Sequence, residues 1–200
     1  MSDRERIRVT ARETLSNERR RLEKLTYEYD RSDGSTQLLT NEIYSVNDGA
    51  AGLLYDVARG TVVLVRQFRL PAYLQGSSGF TLEAAAGFLD GASPEDRVRE
   101  EIMEEAGYRV SSVKKVCEAL MVPGCVTHTV YGFVAPYTPE DKIAAGGGLL
   151  EEGEDISVVE LSIDEALRMI ESGEIVDGKT IILLQYAALH LFRSRQDVGS

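Results

Sequence analysis

The chain has 200 residues, 43% of them hydrophobic and 28% charged, and a formal net charge of −11. That length and balance fit one folded domain with at most a small appendage and exclude a disordered chain. The acidic excess argues against a nucleic-acid polymer as partner, because phosphate backbones are bound by basic surfaces, but a small nucleotide held through a cation is compatible with it.

From the N-terminus, Met1 to Arg12 is highly charged without an apolar run, so no secretory signal is expected. Ile7, Val9 and Ala11 alternate with polar residues and suggest a strand over 6–12. Leu22 to Tyr29 and Gln37 to Tyr44 flank Asp33-Gly34-Ser35, which predicts a hairpin. Asp48-Gly49 is a second turn signal, so residues 1–48 read as a small β-rich region and 49–200 as the main domain. Ala51 to Tyr55 and Thr61 to Phe68 read as strands, and Thr61-Val62-Val63-Leu64-Val65 is the clearest buried strand of the chain. Gly76-Ser77-Ser78-Gly79 is a loop before a strand over 80–86 that delivers the backbone into Gly87.

The stretch from Gly87 to Gly107 is a glycine loop feeding a well-punctuated helix. Ser93 is placed as N-cap, Pro94 takes the first helical position, Asp96 stands at capping-box spacing, and Gly107 fits the left-handed position that ends a helix. Glu101, Glu104 and Glu105 stand at i, i+3 and i+4 on one side, with Glu100 one turn before Glu104. Three such like-charge pairs cost about 1 kcal/mol in all, which Arg97, one turn before Glu101, offsets in part. A solvated acidic face is one reading of this pattern. The other is a divalent cation, and oxygen donors at this density suit Mg²⁺ or Mn²⁺ rather than zinc.

Beyond the helix, Val113 to Leu120 and His128 to Tyr137 read as strands around Pro123-Gly124. Ala144 to Asp155 is a glycine-rich, acidic loop: either a mobile connection or a lid that brings a further carboxylate to a metal. A strand over 156–161, a helix capped by Ser162 and a last helix from Lys179 to about Phe192 complete the chain. Strands and helices interleave with hairpins, so the predicted fold is an α/β sandwich on a mixed sheet, not a doubly wound one. The most apolar segment, Ile181 to Phe192, is too short and too interrupted to span a membrane. Cys117 and Cys125 form neither a metal-ligand spacing nor a disulfide framework, which predicts reduced thiols in a cytoplasmic protein.

The glycine loop, the glutamates and the Glu-Ala-Gly ending together resemble the Nudix box. The loop is one residue shorter than that pattern, Ser93 stands at its loop glutamate, and Glu100 replaces its arginine. Thr61 to Arg69 resembles the strand before the box in nucleoside diphosphate sugar hydrolases. Gly146-Gly147-Gly148, Gly173-Glu174-Ile175 and Asp177-Gly178-Lys179-Thr180 resemble the GDP-mannose pyrophosphatase subgroup, and the likeness runs from about Leu15 to Phe192. The resemblance implies a Nudix α/β/α sandwich with a small N-terminal β region that swaps onto the partner of a homodimer. It implies Mg²⁺- or Mn²⁺-dependent splitting of a nucleotide sugar, GDP-mannose first and ADP-ribose as alternative, into a nucleoside monophosphate and a sugar 1-phosphate.

By the same resemblance, the Ala86 carbonyl, Glu101, Glu105 and Glu154 hold the metal, with Glu104 beside them in the catalytic set. Arg19, Glu42, Arg69, Ala86, Gly87, Glu105, His128, Glu154 and Lys179 meet the substrate, Arg69 and Lys179 at phosphate or sugar oxygens. Glu151 and Glu152 compete for the role of Glu154, and His128 also reads as an ordinary polar residue at a strand end. With Glu100 in place of the arginine, a non-catalytic nucleotide-sugar binder is the remaining alternative, and Arg97 is the residue placed to substitute.

Overall fold

The computed structural model describes residues 2–149, 151 and 153–193. It divides into two compact units, residues 1–48 with 120–129, and residues 49–119 with 130–200. The first unit is a three-stranded antiparallel sheet of β1 (Ile7–Ser16), β2 (Arg21–Asp30) and β3 (Thr36–Ser45), in that order. The hairpin expected around Asp33-Gly34 is present, with Tyr29 opposite Gln37 and Leu22 opposite Tyr44. Every residue of β1 is exposed, including Ile7, Val9 and Leu15. Glu23 is the buried charge of this unit and meets Arg21 at 3.2 Å.

The second unit is built on a seven-stranded mixed sheet. Its path runs β10 (Ser157–Ser162), β5 (Thr61–Phe68), β4 (Gly49–Asp56), β9 (Thr129–Pro136) and β8 (Lys114–Leu120). β4 and β9 run parallel, and β4 with β5 and β5 with β10 antiparallel. The central strands are buried on both faces, so they read as continuous apolar runs rather than alternating ones.

Side-chain alternation assigns the two faces. Gly52 of β4 lies beneath Val98 and Ile102, and Ala50 and Leu54 share that face. Gly132 of β9, opposite Ala51, lies beneath Leu183. The sheet is therefore covered on one side by α2 (Pro94–Glu101) and on the other by α4 (Gly178–His190), which packs with α3 (Ile163–Ser172). This is the expected α/β/α sandwich. Among the described residues no helix is long and apolar enough to cross a membrane, and both cysteines are free thiols.

Two elements depart from the sequence reading. A short helix, α1 (Leu70–Leu74), follows β5 where no element was expected. The strand predicted over 80–86 is two strands, β6 (Phe80–Glu83) on β5 and β7 (Ala85–Phe88) on β4. The chain changes partner at Ala84, and its N–H is taken by Thr180 Oγ1 at 2.7 Å instead of by a neighbouring strand. That hydroxyl donates to Asp177 Oδ2 at 2.5 Å, so the N-cap of α4 also ties the switch point of the sheet.

Candidate active site

The loop into α2 turns through Asp90 (φ 44°) and Gly91 (φ 95°), closed by the Ala92 N–H on the Leu89 carbonyl at 2.8 Å. An Asp-Gly pair with both residues left-handed is the chemistry of a tight type I′ turn, which accounts for the short loop. Ser93 caps α2 as expected, accepting from the Asp96 N–H at 3.2 Å and donating to Asp96 Oδ2 at 2.7 Å. The helix does not continue as a plain α-helix to Gly107. After Glu101 it widens into a π turn, Ile102–Ala106, which ends at Gly107 in the predicted left-handed conformation. Such bulges are frequent at functional sites.

The carbonyls released by that turn are satisfied by the glycine loop. Gly147 N–H donates to the Glu105 carbonyl at 2.9 Å, and Gly148 N–H to that of Glu104 at 3.1 Å. A Cβ at Gly146 would meet the Glu105 carbonyl oxygen at 2.4 Å, so this close docking requires glycine. The loop read as a mobile connection or lid is thus pinned to the acidic helix through its glycines. It presents Glu154, half-buried, whose Oε2 accepts from the Leu149 N–H at 2.8 Å. Glu151 is exposed, and Glu152 lies outside the described residues.

The structure brings together Ala86, Gly87, Arg97, Glu101, Glu104, Glu105 and Glu154. Glu105 is 1% exposed, and its Oε2 accepts from the Ala86 N–H at 3.0 Å. Burial first, then the charges of Glu101 and Glu154, push its carboxyl up to about 8 against the opposing Ala86 hydrogen bond. Glu101, also buried, is pushed up to about 7 by burial and by Glu104 and Glu154, with Arg97 opposing. Glu101 Oε1 is in ion-pair contact with Arg97 Nη2 but receives no aligned hydrogen bond, and it lies against Gly87. Arg97 also reaches Glu100 at 3.3 Å, so it bridges the glutamate at the box-arginine position and Glu101. Arg99 points elsewhere, with Nη1 3.5 Å from the Val110 carbonyl. Arg97→Ala is therefore expected to lower turnover by about 10–100-fold and Arg99→Ala by less than about twofold, as measured by steady-state kinetics. Equal, small effects would remove Arg97 from the site.

Among the described residues, no group of three or more His, Cys, Asp or Glu side chains is gathered tightly enough to hold an ion. The donors nonetheless fit a hard divalent cation. They are all oxygen, Glu101 Oε1 is a buried acceptor without a hydrogen bond, and Glu101 and Glu105 repel each other in burial.

Arg69 and Lys179, expected at phosphate or sugar oxygens, converge on a carboxylate that the sequence reading missed. Glu83 on β6 accepts from Arg69 Nε and Nη2 at 2.9 Å each, from Lys179 Nζ at 2.6 Å and from Thr81 Oγ1 at 2.6 Å. Burial works against its charge, but the Arg69 fork and the Lys179 ammonium outweigh it and hold Glu83 well below the usual carboxylate range. No local signal marked it: the strand is inverted, with Phe80 exposed and Thr81 and Glu83 buried, which only the fold reveals. The other expected substrate residues belong to the first unit. Arg19 lies exposed between β1 and β2, Glu42 lies exposed on β3 opposite Lys24, and His128 has Nδ1 2.6 Å from the Asn47 carbonyl.

Residues 6–44 match the family model of the GDP-mannose pyrophosphatase NudK N-terminal domain. A GDP-mannose pyrophosphatase of Yersinia pestis (strain Pestoides F) is 48% identical over 183 residues, covering 91% of each chain. One from Pectobacterium atrosepticum is 44% identical over 184 residues, covering 92% of this chain and 94% of that protein. The crystal structure of an ADP compounds hydrolase superposes with a TM-score of 0.72 at 15% identity, over 97% of this chain and 96% of that one, a likeness of fold alone.

Proposed function

Since the chain belongs to the GDP-mannose pyrophosphatase family of Nudix hydrolases, we propose that it hydrolyses the diphosphate bond of GDP-mannose, releasing GMP and mannose 1-phosphate, with Mg²⁺ as cofactor. One observation carries the reading: two buried carboxylates, Glu101 and Glu105, stand against the Ala86–Gly87 backbone and repel each other, with Glu154 close enough to add to the repulsion. Arg97 and the Ala86 N–H offset that repulsion only in part, since both carboxyls are still pushed up, and a purely structural site has little reason to bury two such groups together.

Glu101, Glu105, Glu154 and the Ala86 carbonyl would hold the metal, which when bound neutralises the diphosphate and polarises its oxygens. Arg97 orients Glu101 from one turn away. The Ala86 N–H fixes Glu105, and the glycine loop fixes the segment that carries Glu154. Arg69 and Lys179 offer cationic donors to phosphate or sugar oxygens, Arg69 as a planar fork and Lys179 as a point charge. The protein acts in the cytoplasm as a homodimer in this reading. In support, the first unit leaves Ile7 and Val9 exposed on one face of its sheet, apolar surface suited to a second copy.

The test is release of nucleoside monophosphate from a panel of GDP-mannose, ADP-ribose and other nucleotide sugars with Mg²⁺. EDTA-sensitive cleavage of GDP-mannose ahead of the others is the expected result. Cleavage of ADP-ribose alone would keep the chemistry and replace the substrate, and tight binding without cleavage would make the chain a sensor.

A further inference from the structure

Glu83 is used up by its own neighbours. A carboxylate has about four acceptor positions, and here Oε1 accepts from Arg69 Nε and Thr81 Oγ1 while Oε2 accepts from Arg69 Nη2 and Lys179 Nζ. Its side chain is 3% exposed. It therefore has nothing left with which to touch a substrate or a metal. The two cations it holds are in the opposite position. Arg69 presents its Nη1 edge away from the fork, on a side chain 43% exposed. Lys179 gives one of its three ammonium donors to Glu83 and forms an ion pair with Asp177 at 3.0 Å, on a side chain 15% exposed. Arg69 is also near enough to Glu105 for each to feel the other's charge.

The charges cancel, two acidic against two basic, so the cluster attracts an anion weakly for its number of cations. What it gains is orientation: two long, flexible side chains are locked before anything binds, which lowers the ordering cost on binding and fixes their direction. The same carboxylate sits one residue before the switch from β6 to β7, on the strand that leads to Ala86.

We propose that Glu83 is a positioning residue of the reaction, holding Arg69 and Lys179 so that their remaining N–H donors meet the oxygens of a nucleoside diphosphate sugar. This rests on the diphosphate-hydrolase reading above. It separates Glu83 from the metal carboxylates, which act on the substrate through an ion.

The test is steady-state kinetics of the full-length wild type, Glu83→Gln, Arg69→Ala and the double variant, with GDP-mannose and Mg²⁺ and with thermal melts alongside. Glu83→Gln is expected to lower kcat by about 10–100-fold. Its KM should change by less than about threefold, because the lost negative charge strengthens the field on the diphosphate as the alignment is lost. In the Arg69→Ala background the same change should cost clearly less than it does in the wild type, since only the route through Lys179 remains. A full, additive loss in that background, or kcat of Glu83→Gln within twofold of wild type, overturns the proposal. Should Glu83→Gln not fold, Thr81→Val removes one donor from the same carboxylate at equal shape. A fall in kcat of about threefold at constant KM is then expected, and unchanged kcat overturns it. If the wild type cleaves no nucleotide sugar, the diphosphate-hydrolase reading fails and this inference falls with it. An active wild type with an unaffected variant removes Glu83 alone.

Discussion

Glu105→Gln is expected to lower turnover by roughly 10³-fold while raising the melting temperature of the metal-free protein. The two effects have one cause. Glu105 is buried beside Glu101, and its carboxyl is pushed up to about 8 from an ordinary 4.5. The metal-free fold therefore keeps a proton that the unfolded chain releases. The stabilising contribution of that proton is complete below about pH 4.5 and is lost as pH rises through about 8. Glutamine keeps the acceptor for the Ala86 N–H and has no charge to bury, so it removes this pH dependence. The gain in melting temperature should be small near pH 5 and largest near pH 9, where the wild type carries the full burden. Circular dichroism melts at both pH values, with nucleotide-sugar assays of the same preparations, check it. A variant that stays active, or that loses stability at every pH, would remove Glu105 from the site.

Gly87→Ala carries the second large effect. Gly87 has ordinary backbone angles, so a positive φ does not demand glycine there. The requirement is space, because a Cβ would lie 1.6 Å from Glu101 Oε1 and 2.3 Å from its carboxyl carbon, with Arg97 Nη2 at 3.1 Å. The methyl group must displace the Glu101 carboxylate by an ångström or more, and misplacement on that scale costs about 10²-fold in rate. The fold should survive, because the atoms that yield are the ends of two side chains. The expected result is a turnover loss of about 10²-fold at nearly unchanged melting temperature, whereas Gly91→Ala, at a position with open space, tests the turn and not the site. Wild-type turnover in Gly87→Ala would mean that Glu101 can leave its place without consequence.

Much of this was legible before any coordinates. The apolar runs over 51–55 and 61–68, the caps at Ser93 and Ser162, and the left-handed Gly107 all carry local signals, and each lies where its chemistry placed it. The acidic cluster of Glu101, Glu104 and Glu105 was visible because helical spacing puts its members within one turn. What stayed hidden depends on pairing across the chain. Nothing local says that the Ala84 N–H leaves the ladder for Thr180, 96 residues away, and so the split between β6 and β7 was invisible. Glu83 looked like any strand glutamate until Lys179, also 96 residues away, was seen to converge on it. The π turn and the docking of Gly146 to Gly148 on it are a joint property of helix and loop, so a glycine run that signals flexibility in sequence signals close contact in the fold.

Titration of Mn²⁺ into the wild type and Glu105→Gln, followed by the EPR signal of the free ion, reads the metal site without relying on turnover. Loss of the free signal with the wild type, and binding weakened by at least about tenfold in Glu105→Gln, is the expected result. Equal binding by the two proteins, or none by the wild type, would contradict a metal held between Glu101, Glu105 and Glu154.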